Sequence, residues 1–291
     1  MENPWLEKEK DMKVITLIEN TKDSSKNLTS EHGLSMYIET NGKRILFDTG
    51  RTNNFIVNAK KLGIDLGQID ATIISHGHGD HGGGLLSFLK INDKAKVYAK
   101  RYVDEDYYFR TMLFSKSVRI NKEVFRQYPN RFEYVDKFTE IIDNIYIVSD
   151  IEKPYEAPEG NKYLFVRDRN KVVRDTFQHE LIMVVKENNE LIIFTGCSHN
   201  GTANMIETVQ NRFPNLKIKA IIGGFHLVRM PLIKTSSASQ NEIDTLVNKI
   251  LDENIEKVYT GHCTGEKAFK KLKKALGNKI IYIRTGTELN I

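Results

Sequence analysis

Short runs of alternating apolar and polar residues recur along the chain, separated by turns that contain glycine and asparagine. Alternation predicts β-strands, whereas apolar positions three and four residues apart predict amphipathic helices. In the first half the pattern predicts strands at 12–19, 34–38, 44–47, 71–74 and 96–99, and helices at 53–62 and 85–89. In the second half it predicts strands at 180–186, 190–195, 217–222, 257–259 and 280–284, and helices at 202–213, 240–251 and 266–276. Intermixed strands and helices predict a fold of the α/β (α+β) class.

Turn residues support these boundaries. Asn41-Gly42 predicts a tight hairpin turn, because both central positions of such a turn take positive φ, and Asn188-Asn189 predicts a second turn between strands. The serines within 236–239 predict an N-cap for the helix at 240–251.

The pattern loosens between about residues 100 and 175, which we interpret as an insertion in a single domain that spans 1–291. Strands at 145–148 and 163–166 are expected to return to the main sheet. The segment is rich in aromatic and basic residues, and Arg101, Tyr107 and Arg110 are candidates for holding a planar or phosphorylated substrate. The alternative is ordinary packing of a helical insertion.

Composition restricts the partners that we expect. Apolar residues make up 40% of the 291 residues, which is enough for a sizeable core, and the net charge is only +5. Basic residues are mostly interleaved with acidic ones, so we expect a small-molecule substrate and no nucleic acid. Residues 1–11 have no apolar signal core, and no later stretch is long enough to span a membrane, so we expect a cytoplasmic protein.

The densest chemistry lies directly after the buried strand predicted at 71–74. Four side chains of metal-ligand type, those of His76, His78, Asp80 and His81, fall within six positions of a glycine-rich stretch. His76 and His78 are two apart and point the same way in an extended segment, so they can bind one metal together. Asp80 and His81 can face a second metal as the chain turns. The carboxyl end of a strand is also where open α/β sheets bind their ligands.

The motif His-x-His-x-Asp-His after an apolar strand resembles the signature of the metallo-β-lactamase superfamily. The resemblance implies a four-layer αβ/βα sandwich with a metal site, often dinuclear, along one edge. It also implies that His262, in Thr260-Gly261-His262, is a ligand of the second metal, and that Asp48, in Phe47-Asp48-Thr49-Gly50, orients a ligating histidine. An aspartate that only forms a turn is the alternative for Asp48.

Three strands of the second half end in glycine and histidine, which indicates that they converge on a metal or an oxyanion. We choose His199 as the third histidine of the first metal, and we expect His226 to donate to developing negative charge. Asp80 would orient the nucleophile while ligating.

The sequence departs from the common superfamily pattern at two places. Thr195-Gly196-Cys197 stands where Thr-Gly-Asp is frequent, so Cys197 either bridges the metals or packs beneath them. Asp175 or His179 stands at the earlier loop, where many relatives carry a ligating histidine. The chain has two cysteines, Cys197 and Cys263, and both lie in loops with histidine. Thiols beside a metal site are the better interpretation, because a structural disulfide is not expected in a reducing compartment.

The motifs of both halves are similar to those of one subgroup, the dihydropterin-ribofuranosylaminobenzene phosphate synthases of methanopterin biosynthesis. The leading hypothesis is a hydrolase that uses a metal-activated water on a small ester or phosphoester. A pterin-type synthase that performs a carbon–nitrogen condensation and a non-catalytic metal- or ligand-binding protein are the alternatives, and an RNA-processing nuclease is a weaker one. Two divalent ions are expected, zinc first and iron or manganese as alternatives. Relatives that do redox chemistry at iron usually carry a carboxylate at the position of His78. The histidine here therefore argues against an oxygen-reducing role. The oligomeric state stays open, with a homodimer as one option.

Overall fold

A computed structural model describes residues 12–228 and 238–291. The predicted polar N-terminal segment and the serines at 236 and 237 lie outside these ranges. Among the described residues the seven helices are α1 Asn54–Lys61, α2 Gly79–Gly82, α3 Leu85–Leu89, α4 Glu123–Gln127, α5 Thr202–Arg212, α6 Gln240–Asp252 and α7 Glu266–Leu276. None of these helices is both long and apolar enough to cross a membrane.

Eighteen strands are formed by the described residues. In the first half of the chain they are β1 Lys13–Ile18, β2 Ser35–Thr40, β3 Lys43–Phe47, β4 Ala71–Ile73, β5 Lys96–Ala99, β6 Tyr107–Arg110, β7 Ser115–Ser117, β8 Phe132–Tyr134, β9 Thr139–Ile142 and β10 Ile145–Val148. In the second half they are β11 Leu164–Asp168, β12 Lys171–Arg174, β13 Ile182–Glu187, β14 Glu190–Phe194, β15 Lys217–Gly223, β16 Lys257–Thr260, β17 Ile280–Tyr282 and β18 Glu288–Asn290.

Two seven-stranded sheets form the body of the protein. The first has the order β18-β1-β2-β3-β4-β5-β8 and the second the order β17-β16-β15-β14-β13-β10-β9. In each sheet one half is antiparallel and the other parallel, with β3, β4, β5 and β8 parallel in the first and β14 to β17 parallel in the second. The strands and helices predicted outside 100–175 all occur, with ends that differ by one to two residues.

The sheets pack face to face and each carries helices on its outer face. The core between them joins apolar residues of both, such as Phe47 and Ile73 of the first sheet and Phe194 and Ile222 of the second. A second cluster joins the outer face of the second sheet to α5, α6 and α7. A third joins the outer face of the first sheet to α1, α3 and α4. The predicted four-layer αβ/βα sandwich is confirmed.

The hairpin turns lie where Asn41-Gly42 and Asn188-Asn189 predict them. Asn41 has φ 50° and Gly42 φ 68° between β2 and β3, and Asn188 and Asn189 have φ 47° and 65° between β13 and β14. Asparagine and glycine adopt this left-handed region at low cost. These turns lie at the ends of the strands opposite to the histidine-bearing loops described below.

The segment 100–175 contributes strands to both main sheets, which the prediction of an insertion does not include. It supplies β8 to the first sheet and β9 and β10 to the second. The strand predicted at 163–166 forms as β11, but it does not return to a main sheet as expected. It lies instead in a separate four-stranded sheet of order β12-β11-β6-β7. Phe165 in this sheet pairs with Tyr108 of β6 and Arg174 of β12, so the segment's aromatic and basic residues mostly contact one another.

Ser239 caps α6 through a reciprocal pair of hydrogen bonds. Its Oγ accepts from the backbone N–H of Glu242, and the Glu242 carboxylate accepts from the backbone N–H of Ser239 at 2.8 Å. We predict that Ser239→Ala lowers the free energy of unfolding by about 1 kcal/mol, because an N–H at the helix start loses its acceptor. Urea denaturation would measure the change, with Ser239→Thr as the control that retains a hydroxyl. Equal stability of the alanine variant and the parent would contradict a role for the cap.

Candidate metal centre

The loop after β4 carries four of the predicted site residues and is held close to its surroundings. His78 stands at the start of the short helix α2, which carries Asp80 and His81. The backbone passes so near its neighbours that a β-carbon at Gly77 would lie 2.5 Å from the ring of Tyr107. Glycine is therefore required at this position, and its absence of a side chain lets the histidines pack inward.

Asp48 is the buried anchor of this loop. It follows β3 with a φ of 58°, and its carboxylate accepts from the backbone N–H of Ser75 at 2.8 Å and from the Ser75 hydroxyl at 2.7 Å. The carboxylate also lies 2.7 Å from Nδ1 of His81. Burial acts to lower the pKa of His81, but the carboxylates of Asp48 and Asp80 outweigh it and raise that pKa to about 9. Asp48 therefore favours positive charge at His81 and directs its Nε2 into the cluster.

Three buried imidazoles meet at one point with unpartnered nitrogens. Ligand atoms of His76, His78 and His199 lie within 4.8 Å of one another, and among the described residues the Nε2 atom of each has no hydrogen-bond partner. Burial lowers the pKa of all three rings, that of His78 to about 3, so they are neutral imidazoles. A buried polar atom without a partner is costly, and three aimed at one point fit a metal ion.

In two of these histidines, His76 and His199, the opposite ring nitrogen is engaged by the protein. Nδ1 of His76 lies 2.9 Å from the Ser75 hydroxyl, and Nδ1 of His199 lies 3.1 Å from Oδ1 of Asn161. The backbone N–H of His199 donates to the buried carboxylate of Glu180 at 2.7 Å. Such contacts hold a ligand ring in orientation and leave its other nitrogen free for a metal.

A second group of ligand atoms lies beside the first. Nε2 of His81 is 3.1 Å from Nε2 of His262 and 3.2 Å from Sγ of Cys197, and Oδ2 of Asp80 is 3.5 Å from Nε2 of His262. His262 comes from the loop after β16. Its Nδ1 lies 2.9 Å from Oδ1 of Asn20, which fixes the ring. Nitrogen, sulfur and oxygen donors at these separations form a candidate second metal position.

Cys197 lies between the two groups. Its sulfur is grouped within 4.8 Å with His76 and His81, with His199 and His226, and with His262 and Cys263. This central place is the one a bridging ligand would occupy. His226, in the loop after β15, lies with its ring 4.2 Å from that of His199, and neither of its ring nitrogens has a hydrogen-bond partner among the described residues.

His179 and Asp175 are near the cluster but point their polar atoms elsewhere. Nδ1 of His179 accepts from the backbone N–H of Gly77 at 2.8 Å, so its proton lies on Nε2, which is 3.0 Å from Oδ2 of Asp175. Both ring nitrogens are occupied, so no lone pair is left for a metal. The pair supports the histidine loop, and the interpretation of either residue as a ligand is not favoured by this geometry.

The three residues predicted to bind substrate have other partners. Tyr107 is buried, its hydroxyl donates to the backbone carbonyl of Tyr102 at 2.5 Å, and its ring lies 4.2 Å from that of His179. Arg101 pairs with Asp136 at 2.5 Å. The Arg110 guanidinium lies 5.4 Å above the Phe165 ring. Tyr107 is therefore a packing residue behind the loop, and the contacts of Arg101 and Arg110 do not bring them to the histidines.

All eight histidines of the chain belong to one cluster. Each ring lies 4.2 to 5.5 Å, centroid to centroid, from that of another histidine. Sequence reasoning missed His32, whose Nε2 lies 3.2 Å from Oδ2 of Asp80, because it follows a polar loop with no periodic pattern. It also missed Glu180 and Asn161, which contact the backbone and the ring of His199, respectively, from other loops. A carboxylate next to His179 is the only signal in the sequence for Glu180.

The fold and the cluster together define a protein of the αβ/βα sandwich class with a candidate metal centre. The sequence model of the metallo-beta-lactamase superfamily matches residues 28–198. The chain therefore belongs to the metallo-β-lactamase superfamily.

Two similar proteins extend over nearly the whole chain. A protein of Methanocaldococcus jannaschii named 7,8-dihydropterin-6-methyl-4-(beta-D-ribofuranosyl)-aminobenzene-5'-phosphate synthase is 30% identical over 269 residues, which cover 88% of this chain and 89% of that protein. The crystal structure of Tm1679, titled a metal-dependent hydrolase of the beta-lactamase superfamily, has a TM-score of 0.82 and 28% identity, and covers 96% of this chain and 99% of that one.

Asp48→Asn tests whether the buried carboxylate orients a metal ligand. Asparagine has the same shape and tolerates positive φ, so the fold should be retained. We predict a loss of metal affinity of roughly 10–100-fold, because an amide cannot accept equally from Ser75 and His81. Competition with a chelator would measure the affinity.

The matched control is Asp65→Asn, since Asp65 accepts only from the backbone N–H of Gly67 in an exposed turn. Affinity that is equal in the parent and both variants would show that Asp48 serves only the turn.

Proposed function

We propose that the chain is a metal-dependent hydrolase that acts on a small-molecule ester or phosphoester. The observation that carries the proposal is the convergence of three neutral, buried Nε2 atoms without partners, beside a second group of nitrogen, sulfur and oxygen donors. His76, His78 and His199 would hold one divalent ion. His81, His262 and Asp80 would hold a second, with Cys197 between them.

Nitrogen and sulfur donors predominate in this set, which favours zinc over magnesium or manganese, with iron as an alternative. Divalent ions at these positions supply a water of lowered pKa and polarise an oxygen of the substrate. The remaining steps belong to the chain's own side chains.

Asp80 would orient the attacking water. Its Oδ2 atom lies within hydrogen-bond range of His32, at 3.2 Å, and near His262, at 3.5 Å, so the carboxylate is held in place at the edge of the cluster. Oriented in this way it can accept the proton of the attacking water. The side chain of His32 is about half exposed, which places this edge of the cluster towards solvent.

His226 would protonate the leaving group. Its ring is buried, lies beside that of His199 and has no partner at either nitrogen, so a proton on it is free to move to a substrate atom. Its backbone φ of 46° is held by the N–H of His226, which donates to Sγ of Cys263 at 3.2 Å. A residue held in this sparsely populated conformation is often part of a functional site.

A pterin-type synthase is the second candidate, and the name of the archaeal relative favours it. The same donors would then assist attack of an amine nitrogen on a dihydropterin carbon, by polarising the oxygen of the group that leaves this carbon as the carbon–nitrogen bond forms. One fold can support either reaction, so only a measured activity distinguishes the hydrolase from the synthase. A cytoplasmic location and the absence of a nucleic-acid partner remain part of the proposal, and a homodimer stays open.

One experiment separates the two candidates. Zinc-reconstituted protein would be incubated with a panel of phosphodiesters and lactones and, separately, with a ribofuranosylaminobenzene 5'-phosphate and a dihydropterin that carries an oxygen leaving group on its methyl carbon. We predict hydrolysis in the first arm and no coupled product by mass spectrometry in the second. A coupled product without hydrolysis would replace the hydrolase with the synthase. Inactivity in both arms at full metal content would favour a binding protein.

His226→Gln tests the proton donor. An alkyl leaving group needs a proton, whereas p-nitrophenolate does not, so we predict a loss in kcat of about 10²–10⁴-fold with alkyl esters and a much smaller loss with p-nitrophenyl esters. Steady-state kinetics with the two series would measure both. The p-nitrophenyl series is the control within the same variant, because it depends on every step except protonation of the leaving group. An equal loss with both leaving groups would exclude His226 as the donor.

A further inference from the structure

Cys263 has no assigned role, yet its thiol faces the second group of ligand atoms. It follows His262 in the loop after β16 and is buried. One ligand atom of each of Cys197, His262 and Cys263 lies within 4.8 Å of the other two. His81, at 3.2 Å from Sγ of Cys197 and 3.1 Å from Nε2 of His262, borders the same space.

The surrounding backbone is shaped for a sulfur atom at this position. A β-carbon at Gly224 would lie 2.6 Å from Sγ of Cys263, so only glycine leaves room for the thiol. The backbone N–H of His226 donates to this sulfur at 3.2 Å. An N–H directed at sulfur stabilises the thiolate form, which is the form that binds metals.

The turn that carries Cys263 is fixed by hydroxyl contacts on both sides. Oγ1 of Thr264 lies 2.5 Å from Oγ1 of Thr260 and accepts from the backbone N–H of Phe225 at 3.0 Å. The backbone N–H of His262 donates to the buried carboxylate of Glu19 at 2.6 Å. The backbone on both sides of Cys263 is therefore fixed by hydrogen bonds.

We propose that Cys263 is a metal ligand, and that it joins His81, His262, Asp80 and Cys197 at the second metal position. This inference rests on the metal site of the proposed function. Two thiolates at one position favour zinc and disfavour manganese and magnesium.

Cobalt(II) tests this directly, because each thiolate bound to cobalt adds a charge-transfer absorption in the near ultraviolet. Cobalt-reconstituted parent protein, Cys263→Ser, Cys197→Ser and the double variant would be compared under reducing conditions. We predict that each single variant loses about half of the absorption and that the double variant loses all of it, as expected for two sulfur donors. Circular dichroism would verify folding.

Two outcomes overturn the inference. Full absorption in Cys263→Ser would show that Cys263 does not ligate. A ¹¹³Cd resonance of the unaltered chain at a position typical of one sulfur donor or none would do the same, and it applies even if a variant fails to fold.

Elemental analysis separates this failure from failure of the proposed function. Metal bound without a signal from Cys263 removes only the inference. No bound metal in folded, reconstituted protein removes the metal site itself.

Discussion

The face-to-face packing of two sheets is the constraint on which the site depends. Their shared apolar core holds the carboxyl ends of β3 and β4 against those of β14, β15 and β16. The fit at this edge is close: a β-carbon at Gly196, after β14, would lie 2.1 Å from Oγ of Ser75, after β4. The backbone N–H of Leu181 donates across the same junction to the carbonyl of Ser75 at 2.9 Å. Ligands from both halves of the chain meet only because the sandwich is closed, so metal binding should also stabilise the fold.

Four of the candidate ligand histidines are oriented in the same way. One ring nitrogen of each contacts a protein oxygen, and the other faces the cluster. Asp48, Ser75, Asn161 and Asn20 serve in this way for His81, His76, His199 and His262, respectively. Protein contacts of this kind fix the orientation of a ligand ring, which lowers the cost of organising the site. For the neutral rings of His76 and His199 they also assign the tautomer, with the lone pair of Nε2 towards the cluster.

Local patterns predicted much of this arrangement. Period-two alternation predicted the strands outside 100–175, and Asn41-Gly42 and Asn188-Asn189 predicted the turns. The histidine motif could be recognised because it lies in one short loop whose geometry is set by nearby residues. The residues that could not be predicted act across the chain: Glu19 accepts from the backbone of His262, 243 positions away, and Asn161 contacts His199. The strands of the third sheet have three to five residues and carry charged and aromatic side chains together, so they show no periodicity.

Membership of the superfamily leaves the reaction open, since one frame serves hydrolysis and condensation alike. The site edge of this chain combines a pair of cysteines with histidines and an aspartate. The central claim is that this edge binds two divalent ions. Anomalous diffraction from crystals of zinc-reconstituted protein tests it most directly. The account predicts one peak among His76, His78 and His199 and a second beside His81 and His262. The absence of any peak at the cluster in zinc-saturated protein would contradict it.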